Sequence, residues 1–171
     1  MSIGIIFQHF WLDQTGPLEQ EAHRNTEQLI EKLDKDVHTM AFDISVTPIL
    51  EQIKNKFVSL VEFKENIAES DLPKRKMKQW IIDNKINEIY IAGLHFNCCV
   101  MQCTTALRDI AEELNLGWGN EFTVNVIEEC TISLHDNETD ACRLEDTTMY
   151  MDYNLVKPWL IKTEQVLKRL A

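Results

Sequence analysis

Little in this sequence could staple, anchor or metallate a chain. Its five cysteines are odd in number and two are adjacent, Cys98 and Cys99, which does not match the paired framework of a small secreted domain. A reducing cytoplasm is the expected setting. No Cys-x-x-Cys pair occurs, and Cys98, Cys99 and Cys103 lack a second cluster with histidines at ligand spacing, so no metal and no cofactor is expected. No run approaches the ~18 apolar residues that a membrane helix requires. The apolar start, Met1-Ser2-Ile3-Gly4-Ile5-Ile6-Phe7, has neither a basic leader nor a small-residue cleavage site and reads as a strand. Positive charge is scarce: 17 Lys and Arg stand against 28 Asp and Glu, a net charge of −11. Such a surface repels phosphate backbones and anionic lipid, which excludes nucleic acid and membrane as expected partners. The densest basic stretch, Lys74-Arg75-Lys76-Met77-Lys78, reads as a solvated helix face.

What is present fits one folded domain, 1–171. With 44% hydrophobic and 26% charged residues, the composition is that of ordinary globular chains. Apolar runs of strand length alternate with stretches of helical period, which predicts parallel β-α-β units: an α/β, three-layer, Rossmann-like domain with about six strands and helices on both faces. The predicted strands are Ile3–Gln8, Val37–Phe42, Phe57–Phe63, Glu88–Gly93, Phe122–Ile127 and Pro158–Lys162. A helix should open at Thr15-Gly16-Pro17 and end near Asp34, because proline is tolerated in the first helical turn. A second should follow Asp71 as N-cap and stop at Asn84. The stripe Val100, Cys103, Leu107, Ile110, Leu114 predicts a third, closed by Gly117. Further helices are expected over Asn137–Met149 and after Lys162. Trp118, Met149 and Trp159 could belong to the core or to an interface between copies.

In an open parallel sheet, ligands bind at the carboxyl ends of the strands, which directs attention to Gln8 and His9, Asp43, Lys64, and the turn from Gly93 to Cys99. That turn runs from a buried strand straight into a helix. A cysteine at a helix start meets unpaired N–H groups and the positive end of the helix dipole, a setting that favours thiolate and makes a nucleophile. Cys98 and Cys99 could equally be small residues filling a tight turn.

The segment Ala92-Gly93-Leu94-His95-Phe96-Asn97-Cys98-Cys99-Val100 resembles the strand-turn-helix of the isochorismatase-like cysteine hydrolases, where an alanine-glycine step leads to a Cys-Val nucleophile. The likeness extends over most of the chain. Ile3–Gln8 is similar to that family's first strand, Lys64–Leu72 to its lysine loop, Val124–Cys130 to its fifth strand, and Pro158–Leu167 to its last strand and terminal helix. The resemblance implies a hydrolase of small amides, imides or related substrates, with Cys99 as nucleophile, Lys64 as the family lysine, and Gln8 at the position of the acid. It also implies a cis peptide between Leu94 and His95, the amides of His95 and Cys99 as oxyanion donors, a pocket lined by His95, Phe96 and Asn97, and a homo-oligomer, dimer or tetramer.

The pattern departs from the family at the first strand, where an aspartate is usual and this chain has Ile5-Ile6-Phe7-Gln8-His9-Phe10. Glutamine can orient a thiol or an ammonium but cannot take a proton as a carboxylate does. His9 would serve as base only in a register shifted by one, which turns a side chain to the opposite face of the sheet; Asp13 lies farther along the loop. The Asp-x-His metal site of nicotinamidase-like members is also missing, the corresponding segment being Asp43-Ile44-Ser45. Two readings stay open: a cysteine hydrolase with a divergent triad, and a catalytically silent relative that binds a small molecule or a protein partner in the same cleft. A flavodoxin-like nucleotide binder falls behind both, because none of the five glycines follows the first strand at Gln8-His9-Phe10-Trp11.

Overall fold

The computed structural model describes residues 2–45, 48–67, 70–134, 141–142 and 159–171, with backbone alone at 141, 142 and 159. The chain begins with β1 (Ser2–Gln8), α1 (Pro17–Lys32), β2 (His38–Phe42), α2 (Pro48–Lys56), β3 (Leu60–Phe63) and α3 (Asp71–Asn84). It continues through β4 (Ile86–Gly93), a π-helical turn (Phe96–Val100), α4 (Met101–Glu113), β5 (Thr123–Ile127) and a 3-10 turn (Glu128–Cys130). The short strands β6 (Ser133–Leu134), β7 (Ala141–Cys142) and β8 (Trp159–Ile161) follow, and α5 (Thr163–Leu170) comes last. Six strands make one sheet in the order β3-β2-β1-β4-β5-β8, and every neighbouring pair is parallel. This is the α/β architecture expected from the alternation of apolar runs.

Strand alternation sorts the core into two layers. Ile5, Phe7, Ala41, Tyr90 and Ala92 pack against Leu29 and Ile30 of α1, Ile49 and Ile53 of α2, and Val166 of α5. Ile6, Met40, Phe42, Ile89 and Ile91 pack against Met77, Trp80 and Ile81 of α3 and Leu107 and Ile110 of α4. With helices on both faces, β4 has no polar side to present, which is why Ile89-Tyr90-Ile91-Ala92 is apolar or aromatic throughout. The one acid in its early half, Glu88, is buried yet matched: Arg169 Nη2 of α5 donates to Glu88 Oε2 at 2.7 Å, and Tyr90 donates its hydroxyl to Glu88 Oε1. That pairing fastens α5 to the central strand, because removing Arg169, whose side chain is otherwise half exposed, would leave the buried Glu88 charge without compensation.

Several boundaries differ from the sequence reading for local reasons. Helix α2 was not expected; Pro48 starts it and Ile49, Leu50 and Ile53 form its buried face. It delays the next strand to Leu60, since the Phe57 N–H closes the helix on Ile53 O at 3.1 Å. Ser70, not Asp71, occupies the cap position of α3, and Asp71 sits in the first turn, where a negative charge also suits the helix dipole. Helix α4 stops at Glu113, before Gly117. The helix expected over Asn137–Met149 is contradicted at 141–142, where β7 pairs antiparallel with β6; the rest of that segment, including Met149, lies outside the described residues, as do Pro158 and the Trp159 side chain. Trp118 packs on the edge of the core, its ring centroid 6.3 Å from that of Phe122. The basic stretch on α3 is not merely solvated: Lys74 reaches Asp109 at 3.1 Å and Lys78 reaches Glu113 at 2.7 Å, so it bridges to α4.

The strand order reverses between β1 and β4, and there the two backbones touch. A Cβ at Gly93 would lie 2.2 Å from Gln8 O. No side chain can be accommodated without pushing the strands apart. Gly93→Ala is therefore expected to destabilise the fold by about 3 kcal/mol, a fall of roughly 6–12 °C in Tm for a chain of this size. Gly16→Ala, where the added carbon meets nothing nearer than 3.5 Å, should cost less than about 1 kcal/mol. Thermal denaturation followed by circular dichroism compares the two; equal Tm values would refute the close-approach argument.

Candidate active site

At the carboxyl edge of the sheet the strand ends stand level. Gln8 is opposite both Phe42 and Gly93, and Phe42 is opposite Phe63. Pairing continues for one residue beyond each strand: Leu94 N–H donates to Gln8 O at 3.1 Å, His9 N–H to Phe42 O at 2.9 Å, and Asp43 N–H to Phe63 O at 2.9 Å. The loops after β1, β2, β3 and β4 thus start side by side, at the point where the strand order reverses.

The loop after β4 carries Cys99. It passes through a cis peptide at Leu94–His95 and enters the π-helical turn, where Val100 N–H reaches five residues back to His95 O at 3.3 Å. Two buried residues hold this turn. Phe96 lies wholly in the core, and its N–H donates to Ile132 O at 2.7 Å. Asn97 acts as a surrogate peptide group: Nδ2 donates to Leu134 O at 2.9 Å while Oδ1 accepts from Leu134 N–H at 3.0 Å. Both residues were expected to line the pocket; the structure uses them to anchor the turn to the segment after β5.

The half-buried Cys99 thiol is met by one neutral side chain after another. Asn66 Nδ2 donates to Cys99 Sγ at 3.1 Å, and the fully buried Gln8 donates from Nε2 to Asn66 Oδ1 at 3.3 Å. Gln8 Oε1 is buried without a partner among the described residues. Burial pushes the Cys99 thiol up to about 11, with the neighbouring Cys98 and Asp43 adding to the rise and Asn66 opposing it. The helix terminus does not deliver the resting thiolate anticipated from its position, because desolvation outweighs the hydrogen bonds offered. Cys103 and Cys130, deeper in the core, are pushed up to about 12.

Lys64 is exposed at the exit of β3, without a hydrogen bond or ion pair among the described residues, and the side chain that donates to Cys99 comes from Asn66, two positions on. Asp13 is likewise exposed on the loop after β1.

Two histidine–carboxylate pairs complete this edge. His95 Nε2 donates to Glu19 Oε1 at 3.4 Å, and Glu19 Oε2 also accepts from Gly16 N–H at 3.4 Å, so one carboxylate ties the Cys99 loop to the start of α1. Burial lowers the His95 pKa against the opposing pull of Glu19. His9 Nδ1 donates to Asp43 Oδ2 at 2.6 Å. Among the described residues no three His, Cys, Asp or Glu side chains gather as metal ligands. Nothing in the spacing of the sequence announces Asn66 or Glu19; His9 and Asp43 stand among the residues expected at the carboxyl ends of the strands, but their pairing joins two separate loops.

Comparison with known proteins places the fold. No family model and no curated protein sequence matches the chain. Solved structures do. An isochorismatase-like hydrolase from Alkaliphilus metalliredigens superposes with a TM-score of 0.59 at 12% identity, over 99% of this chain and 97% of the other. The nicotinamidase/pyrazinamidase of Bacillus subtilis gives 0.57 at 14% identity, over 95% and 100%. The YcaC gene product of Escherichia coli, described as an octameric hydrolase of unknown specificity, gives 0.56 at 10% identity, over 99% and 79%. Among the described residues no helix is long and apolar enough to cross a membrane. The chain has the fold of the isochorismatase-like hydrolases.

Proposed function

We propose that this protein is a cysteine hydrolase in which Cys99 attacks the carbonyl carbon of a small amide, imide or related substrate. The observation that carries this reading is the position of Cys99: half-buried on the turn after β4, at the strand-order reversal, with Asn66 donating to its sulfur at 3.1 Å. A fold shared with isochorismatase-like hydrolases supports it. The His95 N–H, which meets no acceptor among the described residues, and the Cys99 N–H are the oxyanion donors in this reading. Gln8 holds Asn66, and Asn66 holds the sulfur. Lys64, exposed at the rim, is left with at most a role in attracting substrate.

A second reading rests on the same geometry. Neutral Gln8 and Asn66 and a thiol pushed up to about 11 also describe a cleft that binds a small molecule without turning it over. Activity separates the two. Hydrolysis of a panel of primary carboxamides and cyclic imides should be detectable for the wild-type protein and fall to background in Cys99→Ala. A wild-type protein inert on the whole panel, yet stabilised by one of its members equally with and without the Cys99 sulfur, would support the silent binder.

The reading includes a cytoplasmic homo-oligomer that acts on a small-molecule substrate without a cofactor. The octameric description of the YcaC product supports the assembly. Trp11 and Leu12, 38% and 64% exposed beside the cleft, are apolar surface that a second copy could cover. Light scattering after size exclusion should return a multiple of the 20.0 kDa chain mass.

The chemistry of the thiol is measurable without a substrate. Iodoacetamide labelling of Cys99, mapped by mass spectrometry, should accelerate about tenfold per pH unit up to its raised pKa of about 11, since only the thiolate reacts. Asn66→Ala should slow it at every pH below that value by removing the donor to sulfur. A plateau reached by pH 8, or indifference to Asn66→Ala, would show a thiolate held by something other than this arrangement.

A further inference from the structure

We propose that His9, oriented by Asp43, is the general base and acid that serves Cys99. This rests on the hydrolase reading above and names the residue that moves the proton. The need is clear from the site itself: the sulfur is a thiol at rest, and the two side chains linked to it, Asn66 and Gln8, are amides that cannot accept a proton at neutral pH.

Backbone conformation points first to His9 and Asp43. Among the described residues four non-glycine residues have positive φ: His9 (55°), Asp43 (50°), Lys85 (53°) and Asn115 (54°). Lys85 caps the end of α3 and Asn115 lies just past the end of α4, where the left-handed conformation is routine. His9 and Asp43 follow strands β1 and β2, where no helix cap calls for it, and left-handed non-glycine residues that serve no cap gather at functional sites. The conformation also removes the objection raised by strand alternation. The two-residue period ends at Gln8, so His9 is not bound to the face opposite to Gln8, and no shift of register is required.

The side chains make the same case. Asp43 Oδ2 accepts from His9 Nδ1 at 2.6 Å, so that the neutral imidazole carries its proton on Nδ1 and its lone pair on Nε2. Among the described residues nothing engages Nε2, and the His9 side chain is 26% exposed while Asp43 is 11% exposed. The pair is open to a substrate on one side and sheltered on the other. Charged neighbours close the inventory. Asp43 acts on the Cys99 thiol, His9 acts on His95, and His95 is itself committed to Glu19 and driven toward its neutral form by burial. A proton on His9 offsets the Asp43 charge that otherwise opposes the thiolate.

The steps balance with water as the only co-reactant. The Cys99 proton passes to His9 Nε2 as the Sγ–C bond forms and the carbonyl π pair moves onto oxygen. Collapse of that adduct breaks the C–N bond, and Nε2 returns the proton to the departing nitrogen. Water then adds to the thioester, giving its proton to Nε2; the C–S bond breaks and sulfur recovers the proton. Amide and water become acid and amine.

The test uses p-nitrophenyl acetate, whose leaving group needs no proton, and follows acetyl-Cys99 by mass spectrometry with Cys99→Ala as background. His9→Gly removes the imidazole and suits a φ of 55°, so the fold should persist; circular dichroism checks it. Acylation of Cys99 should fall about 100-fold or more and recover on addition of 4-methylimidazole, with saturation. Asp43→Asn, which also tolerates the left-handed backbone, should lower the rate through the misplaced tautomer. Cys99 acylation within twofold of wild type in His9→Gly, or loss without rescue, overturns the assignment of His9 and leaves the hydrolase reading standing. A wild-type Cys99 that is never acylated overturns both.

Discussion

The close approach of β1 and β4 at Gln8 and Gly93 is the contact on which the rest of the site depends. With no Cβ on Gly93 the two backbones nearly touch, and Leu94 N–H can pair with Gln8 O at 3.1 Å, one residue beyond the strand. That pairing sets where the next loop begins. Beyond it the chain passes through the cis peptide at Leu94–His95 and the π-helical turn that carries Cys99. The same contact places Gln8 at the foot of the turn, within reach of Asn66 and through it of the sulfur. A hydrogen atom in place of a methyl group thereby decides the layout of the whole edge.

Around that contact, the loop is held from three directions by polar groups that would be costly to leave unpaired in the interior. Asn97 grips both backbone groups of Leu134, Phe96 N–H is taken by Ile132 O, and His95 is joined to the start of α1 by Glu19. None of these bonds touches the sulfur. Their role is to make the position of Cys99 a property of the fold, so that a poorly ionised thiol is at least well placed. The sulfur is then a thiol met by neutral donors, with the two histidine–carboxylate pairs standing at the same edge.

That distribution separates this chain from the Asp, Lys, Cys pattern that its Gly93-to-Val100 segment resembles. Where that pattern relies on a carboxylate and an ammonium beside the cysteine, Gln8 and Asn66 are uncharged, and Lys64 faces solvent. Losing both charges together is electrostatically consistent. A lone buried carboxylate or ammonium would be expensive, whereas the amides carry no charge to compensate and share one hydrogen bond, Gln8 Nε2 to Asn66 Oδ1.

The sequence by itself determined the elements and the order in which they come. The unbroken apolar run of β4, the Pro17 start of α1, the stripe from Val100 to Ile110 and the Gly93-to-Cys99 segment are local patterns, and local patterns report periodicity, burial and turn chemistry directly. Helix α2 is equally legible in Pro48, Ile49, Leu50 and Ile53, a proline start followed by a short buried face. What only the tertiary structure decided is who meets whom at the carboxyl edge. Asn66 takes the place expected of Lys64 through the path of the loop after β3, and His9 finds Asp43, 34 residues away, through two left-handed residues at adjacent strand ends. Those contacts depend on the register of parallel strands and on φ angles after their last residues. Neither leaves a periodic trace in the chain, because each is set by partners distant in sequence.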